Sequence, residues 1–223
     1  MKYRYCFFDL DGTVIDSAPG VTHSVQYALQ KMGITPPPSS ELLGFIGPPL
    51  VWSFSHFFGM SHEESLAAVD AYREYYRAGG MLECTVYPGI PELLDALRAA
   101  GIACVLATCK PHVFANAILA HFDLIDRFAL VVGPEIDGTR NEKQEVIRYA
   151  MEQLEITDPQ EILMIGDRDN DVLGAKENGV GTYGALWGFG DEEELMRAGA
   201  LACFADAASL GRAILRTEEN TAK

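Results

Sequence analysis

The fold of this chain is decided by residues 3–16, which read YRYCFFDLDGTVID. Residues 3–8 are rich in aromatic side chains with high β propensity, so they predict a strand that stops at Asp9. Residues 11–13 read Asp-Gly-Thr, which is typical of a turn. The stretch therefore predicts an apolar strand followed directly by two carboxylates, those of Asp9 and Asp11.

A helical block follows this first strand, because residues 16–83 contain no convincing strand pattern. Apolar residues recur at helical spacing between positions 21 and 32. Ser61 and Glu64 have the spacing of a capping box, which predicts the start of another helix. The predicted buried stripe of that helix consists of Leu66, Val69, Tyr72 and Tyr76. The sequence thus predicts a helical insertion at residues 16–85.

From residue 86 onward, predicted strands alternate with predicted helices. The strands are expected at residues 102–107, 128–132, 162–165 and 182–186. Such alternation favours βαβ crossovers and a parallel sheet that is covered on both faces. The expected fold class is α/β, with a Rossmann-like parallel-sheet core at residues 1–15 and 86–216 that is interrupted by the helical domain 16–85. Residues 217–223 are polar and are expected to form a flexible tail.

The composition narrows the range of partners. The 223 residues carry a formal net charge of −15, and a large net anion repels nucleic-acid backbones and acidic membrane surfaces. No apolar run approaches the roughly 20 residues that span a bilayer, and the acidic start of the chain is unlike a signal peptide. The five cysteines lack CxxC spacing, which favours a reducing cytoplasm over a disulfide scaffold or a zinc site. We expect neither nucleic acid nor membrane as partner, and either a monomer or a homodimer.

Polar side chains follow the ends of the predicted strands. They are Asp9, Asp11, Thr108, Lys143, Asp167 and Asp171. In open parallel sheets, ligands bind beyond the carboxyl ends of the strands. Four carboxylates in one cleft repel one another unless cations offset their charge, and Mg²⁺ prefers oxygen ligands. The pattern predicts an aspartate nucleophile, an aspartate acid or base, a magnesium ion and a lysine that balances the transferred group.

Each of these residues has an ordinary structural explanation when it is taken alone. A single aspartate after a strand usually belongs to a turn, Thr108 can cap a helix, and Lys143 can be a solvated helix residue. Lys110, two residues after Thr108, is a rival to Lys143 as the cation that binds phosphate. The occurrence of all the groups in order, mostly directly after apolar strands, favours a catalytic site.

The same residues resemble the four motifs of the haloacid dehalogenase superfamily, in its phosphatase branch. Residues 9–14, DLDGTV, resemble the first motif, and residues 105–108, VLAT, resemble the second. Lys143 is the best match to the third motif, and residues 166–171, GDRDND, resemble the fourth. The helical insertion at 16–85 resembles the α-helical cap of that family.

The resemblance implies a phosphoric monoester hydrolase with a Mg²⁺ cofactor. It implies that Asp9 attacks phosphorus and forms an aspartyl-phosphate. Asp11 would protonate the leaving alcohol and then activate water. Asp9, Asp167 and the backbone carbonyl of Asp11 would bind Mg²⁺, and Asp171 would support the metal shell or Lys143.

Phosphate binding is implied for a second group of residues. Thr108 and Lys143 would hold phosphoryl oxygens. The backbone amides of Leu10, Asp11 and Cys109 would donate hydrogen bonds to the phosphate.

The resemblance also suggests a substrate class. Residues 86–89, VYPG, and 108–111, TCKP, resemble the phosphoglycolate phosphatase-like subgroup. A small phosphate ester is therefore the expected partner, with 2-phosphoglycolate as the first choice. A nucleoside 5′-monophosphate is the alternative, for which Phe45, Trp52 or Tyr76 could supply stacking. A β-phosphoglucomutase-like phosphotransferase and a non-catalytic sensing module on the same fold stay open.

Overall fold

The computed structural model describes residues 3–216, so the predicted tail at 217–223 lies outside the described residues. The chain divides into two compact units. The core unit comprises the residues up to Ile15 and from Val86 onward, and the helical unit comprises Asp16–Thr85. That the helical unit acts as a cap stays a prediction.

The core unit is built on a parallel sheet. Within residues 3–216 the strands are β1 (Tyr5–Phe8), β2 (Ile15–Asp16), β3 (Thr85–Val86), β4 (Ala103–Ala107), β5 (Leu130–Val132), β6 (Ile162–Gly166), β7 (Gly181–Ala185) and β8 (Ala202–Phe204). Six of them form one sheet in the order β5-β4-β1-β6-β7-β8, in which every paired neighbour is parallel. The predicted α/β class with a Rossmann-like parallel sheet is confirmed.

The register of the sheet aligns the ends of its central strands. Phe8, the last residue of β1, lies beside Leu106 of β4 and Ile165 of β6. All three side chains are fully buried, as expected for a sheet that helices cover on both faces. The residues that follow these strands therefore leave the sheet at the same edge.

Helices surround the strands and form the second unit. Within the described residues they are α1 (Ala18–Lys31), α2 (Leu50–Phe58), α3 (His62–Ala78), α4 (Ile90–Ala99), α5 (His112–His121), α6 (Lys143–Gln153), α7 (Asp169–Glu177), α8 (Glu192–Ala198) and α9 (Ala207–Arg216). In the helical unit, α1 and α2 both contact α3. The predicted capping box is present at the start of α3, where Ser61 and Glu64 bond to each other's backbone N–H groups. No helix within residues 3–216 has the length and hydropathy needed to cross a bilayer.

Three details differ from the sequence-based expectation. The buried face of α3 begins at Ser65 rather than at Leu66, which is 46% exposed. Val69 lies four residues after Ser65 and Tyr72 lies three residues after Val69, so these three residues share one face of the helix. The strand expected from residue 128 begins at Leu130, since the Phe128 N–H still donates to the preceding 3₁₀ turn. Strand β8 has only three residues, all partly exposed, which is too short and too mixed for a periodic signal.

Candidate active site

The loop after β1 carries the first two aspartates. The Asp9 N–H donates to the Ile165 carbonyl at 3.0 Å, which extends the pairing of β1 with β6 one residue past the strand. The chain then turns, and the Val14 N–H donates to the buried Leu10 carbonyl at 2.9 Å. The Asp9 side chain keeps 13% of its surface exposed, unlike the fully buried Asp167 and Asp171.

Asp167 and Asp171 lie at the end of β6 and the start of α7, and both are fully buried. One carboxylate oxygen from each, together with one from Asp9, forms a group of three atoms within 4.8 Å of one another. Asp167 Oδ1 accepts from the Thr13 hydroxyl at 3.1 Å, and Oδ2 accepts from the Phe189 N–H at 2.8 Å. The carboxylate of Asp167 is therefore held from two sides.

Lys143, the first residue of α6, is the cation of this cluster. Its Nζ lies 2.8 Å from Asp9 Oδ1, 2.7 Å from Asp171 Oδ1 and 3.0 Å from the Ala107 carbonyl. Burial alone would lower the pKa of the ammonium, but Asp171 and Asp9 beside it raise the pKa well above its ordinary value. Lys143 thus stays charged. The side chain passes Gly174 so closely that a Cβ there would lie 2.7 Å from Lys143 Cγ.

Lys110 has a different partner. Its Nζ donates to Asp11 Oδ1 at 2.7 Å, and the two side chains are only 7% and 15% exposed. Its backbone N–H donates to Thr108 Oγ1 at 3.1 Å, which occupies one acceptor position and leaves the Thr108 O–H as a donor. Burial raises the pKa of the Cys109 thiol to about 12, so this side chain is not a thiolate nucleophile near neutral pH.

The acidic cluster has the character of a cation site. Burial and the neighbouring Asp171 and Asp9 raise the pKa of Asp167 well above its ordinary value, although Phe189 and Thr13 donate hydrogen bonds to it. Burial also raises the pKa of Asp171, against the effect of Lys143. A cation among these oxygens would offset the repulsion that opposes their ionisation. The three carboxylates could therefore hold a metal ion.

The sequence matches a known family over most of its length. The family model for haloacid dehalogenase-like hydrolases matches residues 6–185, which include Asp9, Asp11, Thr108, Lys143, Asp167 and Asp171. The chain belongs to the haloacid dehalogenase-like hydrolase family. The predicted family is confirmed, and so is the enzyme class, a phosphoric monoester hydrolase.

Individual members of the family are similar over nearly the whole chain. A 5′-nucleotidase of Pseudomonas aeruginosa is 44% identical over 195 residues, which cover 87% of this chain and 88% of the relative. A phosphoglycolate phosphatase of Vibrio vulnificus is 30% identical over 196 residues, 84% of this chain and 86% of the relative. A crystal structure of a predicted phosphatase from Clostridium acetobutylicum superposes with a TM-score of 0.92 and 44% identity, and the alignment covers 97% of this chain and 100% of that one.

Several groups in the site of this hydrolase were not foreseen from sequence. The Thr13 hydroxyl and the Phe189 N–H hold Asp167. Thr13 is predicted only as part of a turn, and the backbone N–H of Phe189 leaves no signal in the sequence. The sequence predicts Gly12 in a turn, and its φ of 82° agrees, but a Cβ there would also lie 2.0 Å from Asp167 Oδ2. Gly174 carries no sequence signal, since its role depends on the neighbouring helix α6.

Proposed function

We propose that the chain is a Mg²⁺-dependent phosphatase that hydrolyses a small phosphomonoester through an aspartyl-phosphate on Asp9. The observation that carries this proposal is the environment of Asp9. Its carboxylate is partly exposed, lies 2.8 Å from the Lys143 ammonium and borders two buried carboxylates. A nucleophile that approaches a phosphate dianion needs such neighbouring positive charge, which here comes from lysine and from a metal ion.

The residues present fit a magnesium ion. Asp9 and Asp167 would hold it, with the Asp11 carbonyl as the further ligand that the family pattern implies. Asp171 would act through Lys143, to which it is paired at 2.7 Å. All donors are hard oxygen atoms, which Mg²⁺ prefers. Four carboxyl groups face two ammonium groups, so a divalent cation would offset the negative charge that the two lysines leave uncompensated. When bound, the ion would neutralise charge on the transferred phosphoryl group.

The chemistry on the protein side has two steps. In the first, an Asp9 oxygen forms a bond to phosphorus while the P–O bond to the alcohol breaks, and Asp11 gives its proton to the leaving oxygen. In the second, Asp11 takes a proton from water, the water oxygen attacks phosphorus, and Asp9 is regenerated as phosphate leaves. Lys143 and the Thr108 hydroxyl would hold the phosphoryl oxygens in both steps.

A nucleoside 5′-monophosphate is the substrate class that we favour. The relative named 5′-nucleotidase is 44% identical over most of both chains. Of the three aromatic residues considered for stacking, Phe45 and Tyr76 are buried within the helical unit, whereas Trp52 is 49% exposed. An exposed indole can stack on any base. The second candidate is 2-phosphoglycolate, which the 30% identity to a phosphoglycolate phosphatase supports.

The test is a substrate panel with two variants. Phosphate release at fixed Mg²⁺ would be measured for nucleoside 5′-monophosphates, 2-phosphoglycolate and a hexose 1-phosphate, with product analysis to detect phosphoryl transfer to a sugar. Asp9→Asn is expected to abolish turnover, while the exposed Asp126→Asn serves as a matched control and keeps it. Beryllium fluoride, which mimics a phosphoryl group on a carboxylate, should raise the Tm of the wild type but not of Asp9→Asn. Full turnover by Asp9→Asn would refute the assigned nucleophile.

A further inference from the structure

The loop after β7 is in contact with the acidic cluster. Residues 187–190, which read WGFG, form a stretch that we call the WGFG segment. The Phe189 N–H donates to Asp167 Oδ2 at 2.8 Å. The indole N–H of Trp187 donates to the Thr13 carbonyl at 3.0 Å, and the Thr13 hydroxyl donates to Asp167 Oδ1 at 3.1 Å. Thr13 and the WGFG segment thus enclose the Asp167 carboxylate and are joined to each other.

Two glycines allow the WGFG segment to lie this close. A Cβ on Gly188 would lie 2.3 Å from the Gly12 carbonyl oxygen and 2.4 Å from Asp167 Cβ. A Cβ on Gly190 would lie 2.0 Å from the Asp167 carbonyl oxygen. All three distances are shorter than the nonbonded contacts that real Cβ atoms make, so the backbone of the WGFG segment rests directly on Asp167 and on the loop after β1.

We propose that the WGFG segment is a positioning element for Asp167 and sets the affinity of the hydrolase for its divalent cation. This inference rests on the proposed function, in which Asp167 is a metal ligand. Each carboxylate oxygen has two acceptor positions, and one on each oxygen of Asp167 is occupied by a protein donor. The acceptor positions on Asp167 that are left for a metal ion therefore point in defined directions. Partners that orient a ligating carboxylate in this way typically change metal affinity by about 10–100-fold when they are removed.

The indole of Trp187 is the part of this arrangement that a side-chain substitution can test. Trp187→Phe removes the N–H that links the WGFG segment to the Thr13 carbonyl but keeps an aromatic ring. We expect the Kd for Mg²⁺, measured by titration calorimetry, to rise about tenfold. We expect the KM for Mg²⁺ to rise in parallel, while kcat at saturating Mg²⁺ changes by less than about threefold.

A second pair of variants separates the backbone donor from the side chain. Phe189→Pro lacks the N–H that donates to Asp167 and should bind Mg²⁺ much more weakly. Phe189→Leu keeps that N–H and should restore an affinity close to that of the wild type. If Phe189→Pro does not fold, the Kd of Trp187→Phe for Mg²⁺ still tests the proposal.

The outcomes distinguish this inference from the proposed function. A folded Trp187→Phe protein with an unchanged Kd for Mg²⁺ overturns the positioning role, because a merely structural contact would alter the free energy of unfolding and not the metal affinity. Wild-type protein that binds no Mg²⁺ by calorimetry is instead a failure of the proposed function itself.

Discussion

The Lys110 ammonium donates to the Asp11 carboxylate at 2.7 Å, and both side chains are almost buried. Lys143 contacts a different aspartate, since its ammonium pairs with Asp9. Each lysine therefore pairs with a different aspartate of the loop after β1, Lys143 with Asp9 and Lys110 with Asp11. In the proposed mechanism, Lys143 lies beside the nucleophile Asp9, and Lys110 holds Asp11, which acts first as the acid and then as the base.

Lys110→Met should therefore impair both catalysis and folding. Asp11 would lose its partner in a site that is shielded from water, which we expect to lower kcat about 10–100-fold. The free energy of unfolding should fall by about 2–3 kcal/mol, since an unpaired charge would remain largely buried. Steady-state kinetics and urea unfolding measure the two effects.

Lys31→Met is the matched control for this variant. Lys31 donates to Glu74 at the same distance of 2.7 Å, but on the exposed surface of the helical unit. Exposed ion pairs contribute little to stability, so both measurements should stay near those of the wild type. Equal effects of the two substitutions would argue against a special role for the Lys110–Asp11 pair.

Gly174→Ala tests whether Lys143 needs the space beside α7. The new methyl group would lie 2.7 Å from Lys143 Cγ and 3.0 Å from the Gln144 backbone nitrogen. We expect a loss of about 1–3 kcal/mol in stability and a large loss of kcat, because the ammonium would be displaced from Asp9. Gly211→Ala, also within a helix, would meet only the end of the Leu93 side chain at 3.0 Å and should be tolerated. Similar kinetics for both variants would contradict this explanation.

Removal of divalent cations should stop phosphate release. With EDTA, Lys143 alone would face the charge on Asp9, Asp167 and Asp171, and added Mg²⁺ should restore activity. Mg²⁺ should also raise the Tm, because a ligand at about 100 times its Kd contributes about 2.7 kcal/mol to the folded state. Asp167→Asn should lose the rise in Tm that Mg²⁺ causes. Asp95→Asn, at an exposed position, should retain that rise. Activity that persists after exhaustive chelation would exclude a required metal.

An ion pair between Asp95 and Arg127 should make stability depend on pH at the acidic end. Arg127 donates from Nε at 2.9 Å and from a terminal nitrogen at 3.1 Å, and this lowers the pKa of Asp95 below its ordinary value. A lowered pKa in the folded state means that the stabilisation is present above the unfolded pKa of about 3.9 and is lost as the pH falls through the folded value. The difference in unfolding midpoint between wild type and Asp95→Asn should therefore shrink from pH 6 toward pH 3. If the difference in unfolding midpoint instead grows as the pH falls, the lowered pKa assigned to Asp95 would be contradicted.

Much of the fold could be predicted because its signals are local. The strand ending at Phe8 and the strand that includes Ile165 are short apolar runs followed at once by aspartates. The α3 capping box is likewise contained within four residues. Strand β8 could not be predicted, since it has three half-exposed residues and depends on its neighbour β7 for pairing.

The sequence by itself determined which acids, lysines and hydroxyl groups follow the strands and in what order, and this was sufficient for the family and for the enzyme class. Only the tertiary structure decided which lysine meets which aspartate, and that Thr13 and the Phe189 backbone hold Asp167. The physical reason is distance along the chain. Lys143 is 134 positions from Asp9 and Phe189 is 22 from Asp167, so these contacts depend on sheet register and helix packing rather than on any local pattern.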